Sequence, residues 1–138
     1  MKITKIRLLL IIILFFTCIC TSCGNNKFDS NYNDFKDCYL MIVRELDYKE
    51  PWTSIEKLKT DPISNQVDDL KDIVSKMNEL ASSKTEKRIY DNALKYYSGI
   101  EFLQYAAQNK DYLSEDERGR IATELTLIEM RKKNVEEK

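Results

Sequence analysis

The 138-residue sequence predicts an all-α protein, an antiparallel bundle of about four helices. Three observations predict it. Only three Gly and two Pro occur, so the chain is poor in the residues that punctuate turns between short strands. No stretch alternates polar and apolar residues with the period of two that a half-buried strand requires. Apolar residues instead recur three and four apart along most of the length, the spacing that gathers side chains on one face of a helix. Amphipathic helices of about 15 to 25 residues are marginal alone in water and must bury their faces against one another, which an antiparallel bundle achieves with short connections.

A different kind of segment precedes the bundle. Lys2, Lys5 and Arg7 form a basic stretch, Leu8 to Phe16 is an unbroken apolar run, and Thr17 to Ser22 is mostly small and polar. That order is the three-part layout of a secretory signal. Even extended through Cys20, the apolar run covers about 13 residues, short of the roughly 20 that a helix needs to cross the hydrocarbon core of a bilayer. A cleaved signal is therefore expected rather than a permanent span.

At the end of this run, Cys20-Thr21-Ser22-Cys23-Gly24 resembles the lipobox of bacterial lipoproteins, in which small residues precede the cysteine that is modified. Ser22 suits the cleavage position, whereas Cys20 stands where lipoboxes usually have Leu. Cys18 and Cys20 are rival anchors, but they would place Thr17 and Ile19 at the cleavage position, and Ile fits a small-residue slot poorly. Cys23 is the favoured lipidation site. The resemblance implies a thioether-linked diacylglycerol on its sulfur and, in many bacteria, a further acyl chain on the new amino terminus. Burial contributes about 0.8 kcal/mol per CH₂, so two or three chains hold far more firmly than one reversible myristoyl. The expected organisation is a lipoprotein signal peptide over 1–22, a lipidated cysteine and short tether over 23–30, and a helical domain over 31–138. The seven residues from Gly24 to Ser30 reach at most about 25 Å.

Removing residues 1–22 leaves 116 residues, enough for one modest core. Without Lys2, Lys5 and Arg7, 19 basic residues stand against 23 acidic ones, a net charge of −4. That balance argues against a nucleic-acid partner, which demands a concentrated basic surface. It also leaves lipid, not net charge, to hold the protein at a membrane. Of the four cysteines, only Cys38 would remain unmodified, so no intrachain disulfide framework is possible in the mature chain. Within its apolar helix face Cys38 reads as a small buried hydrophobe, with a reactive thiol or an intermolecular disulfide as the alternative.

The first bundle helix is expected from about Asn31 to Lys49, with Tyr32, Phe35, Tyr39, Ile42 and Leu46 on its stripe and Cys38 and Met41 beside it. Pro51, Trp52, Ile55 and Leu58 indicate a short helical connector. Asp61 as N-cap and Pro62 at the first helical position open a second helix, whose stripe is Ile63, Val67, Leu70, Ile73, Val74, Met77 and Leu80, ending near Ser82. Thr85 is expected to cap a third, lined by Ile89, Ala93, Tyr96, Ile100, Leu103 and Ala107 and fading near Asn109. Ser114 and Glu117 form a capping-box pattern for a fourth, carrying Ile121, Leu125 and Ile128 before a charged tail. Gly119 weakens that helix by about 1 kcal/mol relative to Ala.

Catalytic chemistry has little to draw on. Histidine is absent, which removes the commonest metal ligand, the usual general base and every Ser-His or Cys-His pair. No Glu-x-x-His pattern of a di-iron bundle, phosphate-cradling glycine loop or calcium loop occurs. Asp68, Asp69, Lys71, Asp72, Lys76 and Glu79 lie off the apolar stripe, at spacings expected of a solvated face. No enzyme activity, cofactor or metal is expected.

Aromatic residues are the stronger signal. Tyr90, Tyr97 and Tyr105, spaced seven and eight apart, form a second line beside the core stripe of the third helix. Two readings stand: the line is a partner-binding surface of tyrosine anchors, or the helix is central and buries both lines with its hydroxyls reaching the surface. Trp52 beside Pro51 either caps one end of the bundle or dips into the membrane interface near the anchor. Arg131, Lys132 and Lys133 most simply complement the dipole of the last helix.

The short leader, the lipobox, the Lys/Asn-rich start of the mature region and the helical body together resemble the small helical lipoproteins of Borrelia-type spirochaetes, and some Bacteroidetes lipoproteins begin similarly. The resemblance implies a membrane-anchored, non-enzymatic binding module at the cell envelope or surface, more at the outer than the inner membrane, with a host or envelope protein as partner. The alternative is a periplasm-facing accessory or exclusion subunit of an envelope complex. The short tether bears on this choice, since display through a dense surface coat usually uses longer spacers.

Overall fold

Ser-x-x-Glu pairs set two of the helix starts. The computed structural model describes residues 26–137, and across these the chain is helical without a strand. It forms α1 (26–43), α2 (Pro51–Lys57), α3 (Ile63–Leu80), α4 (Lys84–Gln108), a 3₁₀ turn at Lys110–Tyr112 and α5 (Glu115–Glu136). Ser114 accepts from the Glu117 amide at 3.2 Å while the Glu117 carboxylate accepts from the Ser114 amide at 2.8 Å, the reciprocal box expected from sequence.

The same device opens α4, at Ser83 rather than at the expected Thr85. Ser83 accepts from the Glu86 amide at 3.1 Å and Glu86 from the Ser83 amide at 2.7 Å. Ser82 adds its own amide and hydroxyl to the same carboxylate at 2.9 and 2.8 Å, so four hydrogen bonds favour the earlier start. The second helix also differs from expectation. Asp61 does not cap it, because the Thr60 carbonyl already takes the Ser64 amide at 3.0 Å, and Asp61 accepts the Ser64 hydroxyl instead at 2.7 Å. Pro62 stands at the cap and Ile63 is the first helical residue.

The first helix is shifted furthest. It is already helical at residue 26 and ends at 43, against an expected span of about Asn31 to Lys49. Phe28 explains the early start: it lies four residues before Tyr32, extends the stripe of Phe35, Tyr39 and Ile42, and is fully buried. Residues 26–30, expected as tether, therefore belong to the folded body. The early end follows from a turn in which Ser54 accepts from the Asp47 amide at 2.6 Å and donates to the Asp47 carbonyl at 2.7 Å.

Polar cross-links show how the helices run. The Asn31 carboxamide donates to the Ile73 carbonyl at 2.8 Å and the Cys38 thiol to the Gln66 carbonyl at 3.3 Å, so α1 and α3 are antiparallel. α4 runs alongside α1 in the same direction, with Tyr39 and Tyr96 ring centroids 5.5 Å apart. Gln104 reaches back to the Leu58 carbonyl just after α2 at 3.2 Å. Tyr39, Ile42, Leu58, Leu70, Met77, Ile100, Leu103, Ile121 and Leu125 meet in one core, each worth about 1.5 to 3 kcal/mol of apolar burial. α5 continues through the segment expected as a charged tail, and Val135 near its end is buried.

Two stability predictions follow from the helix starts. Gly119 is exposed in the second turn of α5, and a Cβ there would meet nothing within 4 Å. Gly119→Ala should therefore stabilise the domain by about 0.5 to 1 kcal/mol and raise its melting temperature by about 2 to 6 °C, read by circular dichroism. The hydrogen bonds from Ser83 and Ser82 hold the Glu86 carboxyl down at a pKa of about 2. Its unfolded value is about 4.3, so this group stabilises the fold above that pH and loses its contribution as pH falls towards 2. Melting temperature should accordingly fall more steeply with acidification in the natural protein than in Glu86→Gln.

Candidate functional site

The three tyrosines proposed as contact anchors do not form one surface. Tyr97 is only 7% exposed and its hydroxyl donates to Glu101 at 2.8 Å. Burial first, then the Glu101 hydrogen bond and the negative charges of Glu101 and Asp68, push its phenol well above the ordinary range. Tyr90 is half-buried against the core, and Tyr105 is 47% exposed. The cause is the position of α4, which has α1, α2, α3 and α5 around it and buries part of the second aromatic line as well as the first. Tyr105 alone of the three presents a largely free ring.

The best-formed hollow lies elsewhere, where α1, α4 and α5 meet. It has a volume of about 400 Å³ and is walled by Tyr32, Arg88, Ile89, Asn92, Tyr96 and Asn134, with Ala93 and Val135. Tyr32 and Tyr96 belong to the aromatic row that continues through Phe35 and Tyr39. Burial, and then Tyr96, raise the Tyr32 phenol above its usual value. The lining offers one guanidinium, two carboxamides and two phenols, with no carboxylate and no thiol. Such a set can orient an anion or a hydrogen-bonding ligand against aromatic faces; it contains no activated nucleophile or general base.

A second polar group ties α5 to α4. Glu124 is 9% exposed and sits on the apolar stripe between Ile121 and Ile128. Its carboxylate accepts from Arg120 at 3.0 and 3.1 Å, and Arg131 lies 4.0 Å away on its other side. Arg120 stacks over Phe102 at 4.1 Å, while Arg131 lies over Tyr96 at 5.3 Å and donates to the Lys95 carbonyl at 3.3 Å. Gly99 makes room: a Cβ there would stand 3.0 Å from Arg131 and 3.1 Å from Glu124. Arg131 thus serves this clasp rather than the end of the helix dipole, which Lys133 in the last turn can complement. A Glu on an apolar stripe, with Arg four before and seven after, is the signal sequence reasoning passed over.

The remaining candidates are placed as follows. Cys38 is buried, and burial, with Asp69 nearby, pushes its thiol up to about 11, so it is not poised as a thiolate. Trp52 is half-buried beneath Lys110 and Arg118, 5.5 and 5.7 Å from its ring centroid. It caps the bundle end formed by α2 and the close of α4, about 35 Å along α4 from the end that holds residue 26. Asp68, Asp69, Lys71, Asp72, Lys76 and Glu79 are all exposed. Among the described residues no three His, Cys, Asp or Glu side chains gather to hold a metal, and no helix is long and apolar enough to cross a membrane. Cys23 lies outside the described residues. The chain matches no family model, no curated protein and no solved structure.

The tyrosines separate in a thermal melt. Tyr97→Ala should destabilise the domain by about 3 to 5 kcal/mol, lowering the melting temperature by well over 10 °C. Tyr105→Ala should stay within about 0.5 kcal/mol of the natural protein. Equal losses at both positions would overturn this placement.

Proposed function

We propose that the protein is a lipid-anchored, non-enzymatic binding module of the bacterial envelope, held to a membrane through acyl chains on Cys23. The observation that supports this reading is how near to Cys23 helical structure is found. Residue 26 is already helical and Phe28 is in the core, so at most two residues lie in sequence between Cys23 and the helix. Three residue steps span at most about 11 Å, less than half of the leash expected from sequence. A domain on so short a link stands directly on its bilayer. The hollow of Tyr32, Arg88, Asn92, Tyr96 and Asn134 supplies a recognition surface without reactive groups.

The same short link favours a second reading, a periplasm-facing accessory or exclusion subunit whose partner lies in or against the same membrane. Outward display, as in the spirochaete lipoproteins the sequence resembles, needs the partner to come down to the bilayer surface.

Two measurements test the proposal. Labelled fatty acid should enter the natural protein and be lost from Cys23→Ala, leaving unprocessed precursor; label retained there and lost from Cys20→Ala would move the anchor. Protease added to intact cells should then assign the side: digestion supports surface display, and survival until the envelope is opened supports the accessory role.

A further inference from the structure

Four-residue spacing puts Arg88, Asn92 and Tyr96 on one side of α4, about a turn apart from one another. Tyr32 of α1 and Asn134 of α5 complete the polar wall of the same hollow. Among the described residues none of these five side chains hydrogen-bonds to another protein group, so their donors and acceptors converge on open space. Asn31, Gln104 and Asn109, by contrast, each give their carboxamide to a backbone carbonyl. Ala93 and Val135, both buried, and half-buried Ile89 supply the apolar part of the lining.

Two tyrosines of this wall are already held in place. Tyr32, Phe35, Tyr39 and Tyr96 follow one another with ring centroids 6.2, 5.8 and 5.5 Å apart, and Arg131, tied to the Lys95 carbonyl, lies over Tyr96. A guest that meets ordered side chains loses less of its binding energy to fixing them. Charge does not choose that guest, because Arg88 also borders the neighbouring depression with Asp91, which answers its positive charge from outside the hollow. The hydrogen-bond inventory does. Two carboxamides and two phenols each donate and accept, while the guanidinium only donates. A carboxylate or phosphate would use the donors and leave the acceptors idle. A flat aromatic guest would need free ring faces, yet Tyr32 has Phe35 and Lys36 against its ring and Tyr96 has Tyr39 and Arg131. Neighbouring hydroxyls of a sugar donate and accept together, and the C–H face of its ring suits the apolar part of the lining.

We propose that the hollow between α1, α4 and α5 binds a small neutral sugar, whose hydroxyls meet Arg88, Asn92, Asn134 and the phenols of Tyr32 and Tyr96. Its volume of about 400 Å³ lies near the small end of the range for ligand sites, about 300 to 1,000 Å³, which suits a monosaccharide or disaccharide. The inference rests on the reading of the hollow as the recognition surface of a binding module, and it does not depend on the anchor.

The test uses the full chain in an amine-oxide detergent, which carries neither sugar nor phosphate. Saturation-transfer NMR is read on glucose, galactose, mannose, rhamnose and N-acetylglucosamine and on their disaccharides. At about 10 mM sugar a site of about 1 mM affinity is mostly filled, so at least one of these probes should take up saturation from the protein. Asn92→Ala and Asn134→Ala, at exposed positions on two helices, should each weaken that binding about tenfold while keeping the helical spectrum and melting temperature. Tyr105→Ala, outside the hollow, should leave it unchanged. Cys23→Ala should bind as the natural chain does, so a failed anchor would leave this inference standing. No transfer to any sugar would overturn it and leave the anchor intact. Binding undiminished in both asparagine variants would overturn the placement in the hollow. Displacement of the sugar by equimolar inorganic phosphate would make the hollow an anion site and overturn the neutral guest.

Discussion

The bundle depends on α4 being surrounded. Tyr96 meets Tyr39 of α1, Gln104 reaches the carbonyl that closes α2, Tyr97 leans towards α3 and its Asp68, and Gly99 admits the charged clasp of α5. The face that α4 turns to these neighbours is built of glycine, alanines and aromatic rings, while Lys84, Arg88, Asp91, Lys95, Ser98 and Glu101 keep a polar face exposed. Ala93, Ala106 and Ala107 bring backbones close, and the rings fill the wider gaps between the helices. Gly99 is the tightest of these fittings, because α5 approaches there with a guanidinium and a carboxylate rather than with apolar groups. A paired buried carboxylate adds little net stability compared with an apolar contact of equal volume, but it strongly disfavours registers that would leave it unpaired.

How much of this the sequence discloses varies with the physics involved. The stripe of α3 and the capping box at Ser114 are local patterns, and both are legible residue by residue. Ser83 and Glu86 form an equally local pattern, obscured because Thr85 offered a competing cap two residues later. Phe28 was legible as one more step of the α1 stripe, but the polar Gly24-Asn25-Asn26-Lys27 before it reads as tether. Tyr97 and Tyr105 could not be told apart from spacing. Periodicity assigns residues to a face, and whether that face is covered depends on how many neighbours the helix has. The hollow around Arg88 was invisible for the same reason, since its walls come from positions about 100 residues apart in the chain.

Net charge conceals distribution in the same way. A net charge of −1, or the −4 expected once residues 1–22 are removed, says only that acids outnumber bases. Along the fold, acids outnumber bases around the turn at 109–117, while Lys84, Lys87 and Arg88 follow the turn at 81–83 in the company of Glu86 and Asp91. The acids that open α5, Glu115, Asp116 and Glu117, also suit the positive end of that helix dipole, so part of the polarity arises from helix chemistry. Nothing comparable requires Lys84, Lys87 and Arg88 to sit in the first turns of α4, where a positive charge opposes the dipole.

If Cys23 carries the proposed anchor, the nearness of α1 to that residue changes the geometry of encounter. A body on a long leash explores a volume, whereas one held this way would be confined to a sheet and would move by lateral drift of its acyl chains. Its height is set by α4, whose 25 residues rise about 37 Å. The rim around Trp52 would then stand at a constant altitude above the lipid, and the hollow would lie close to the headgroups. A partner embedded in the same bilayer would meet the flank and the hollow, while one arriving from solution would meet the rim around Trp52 first.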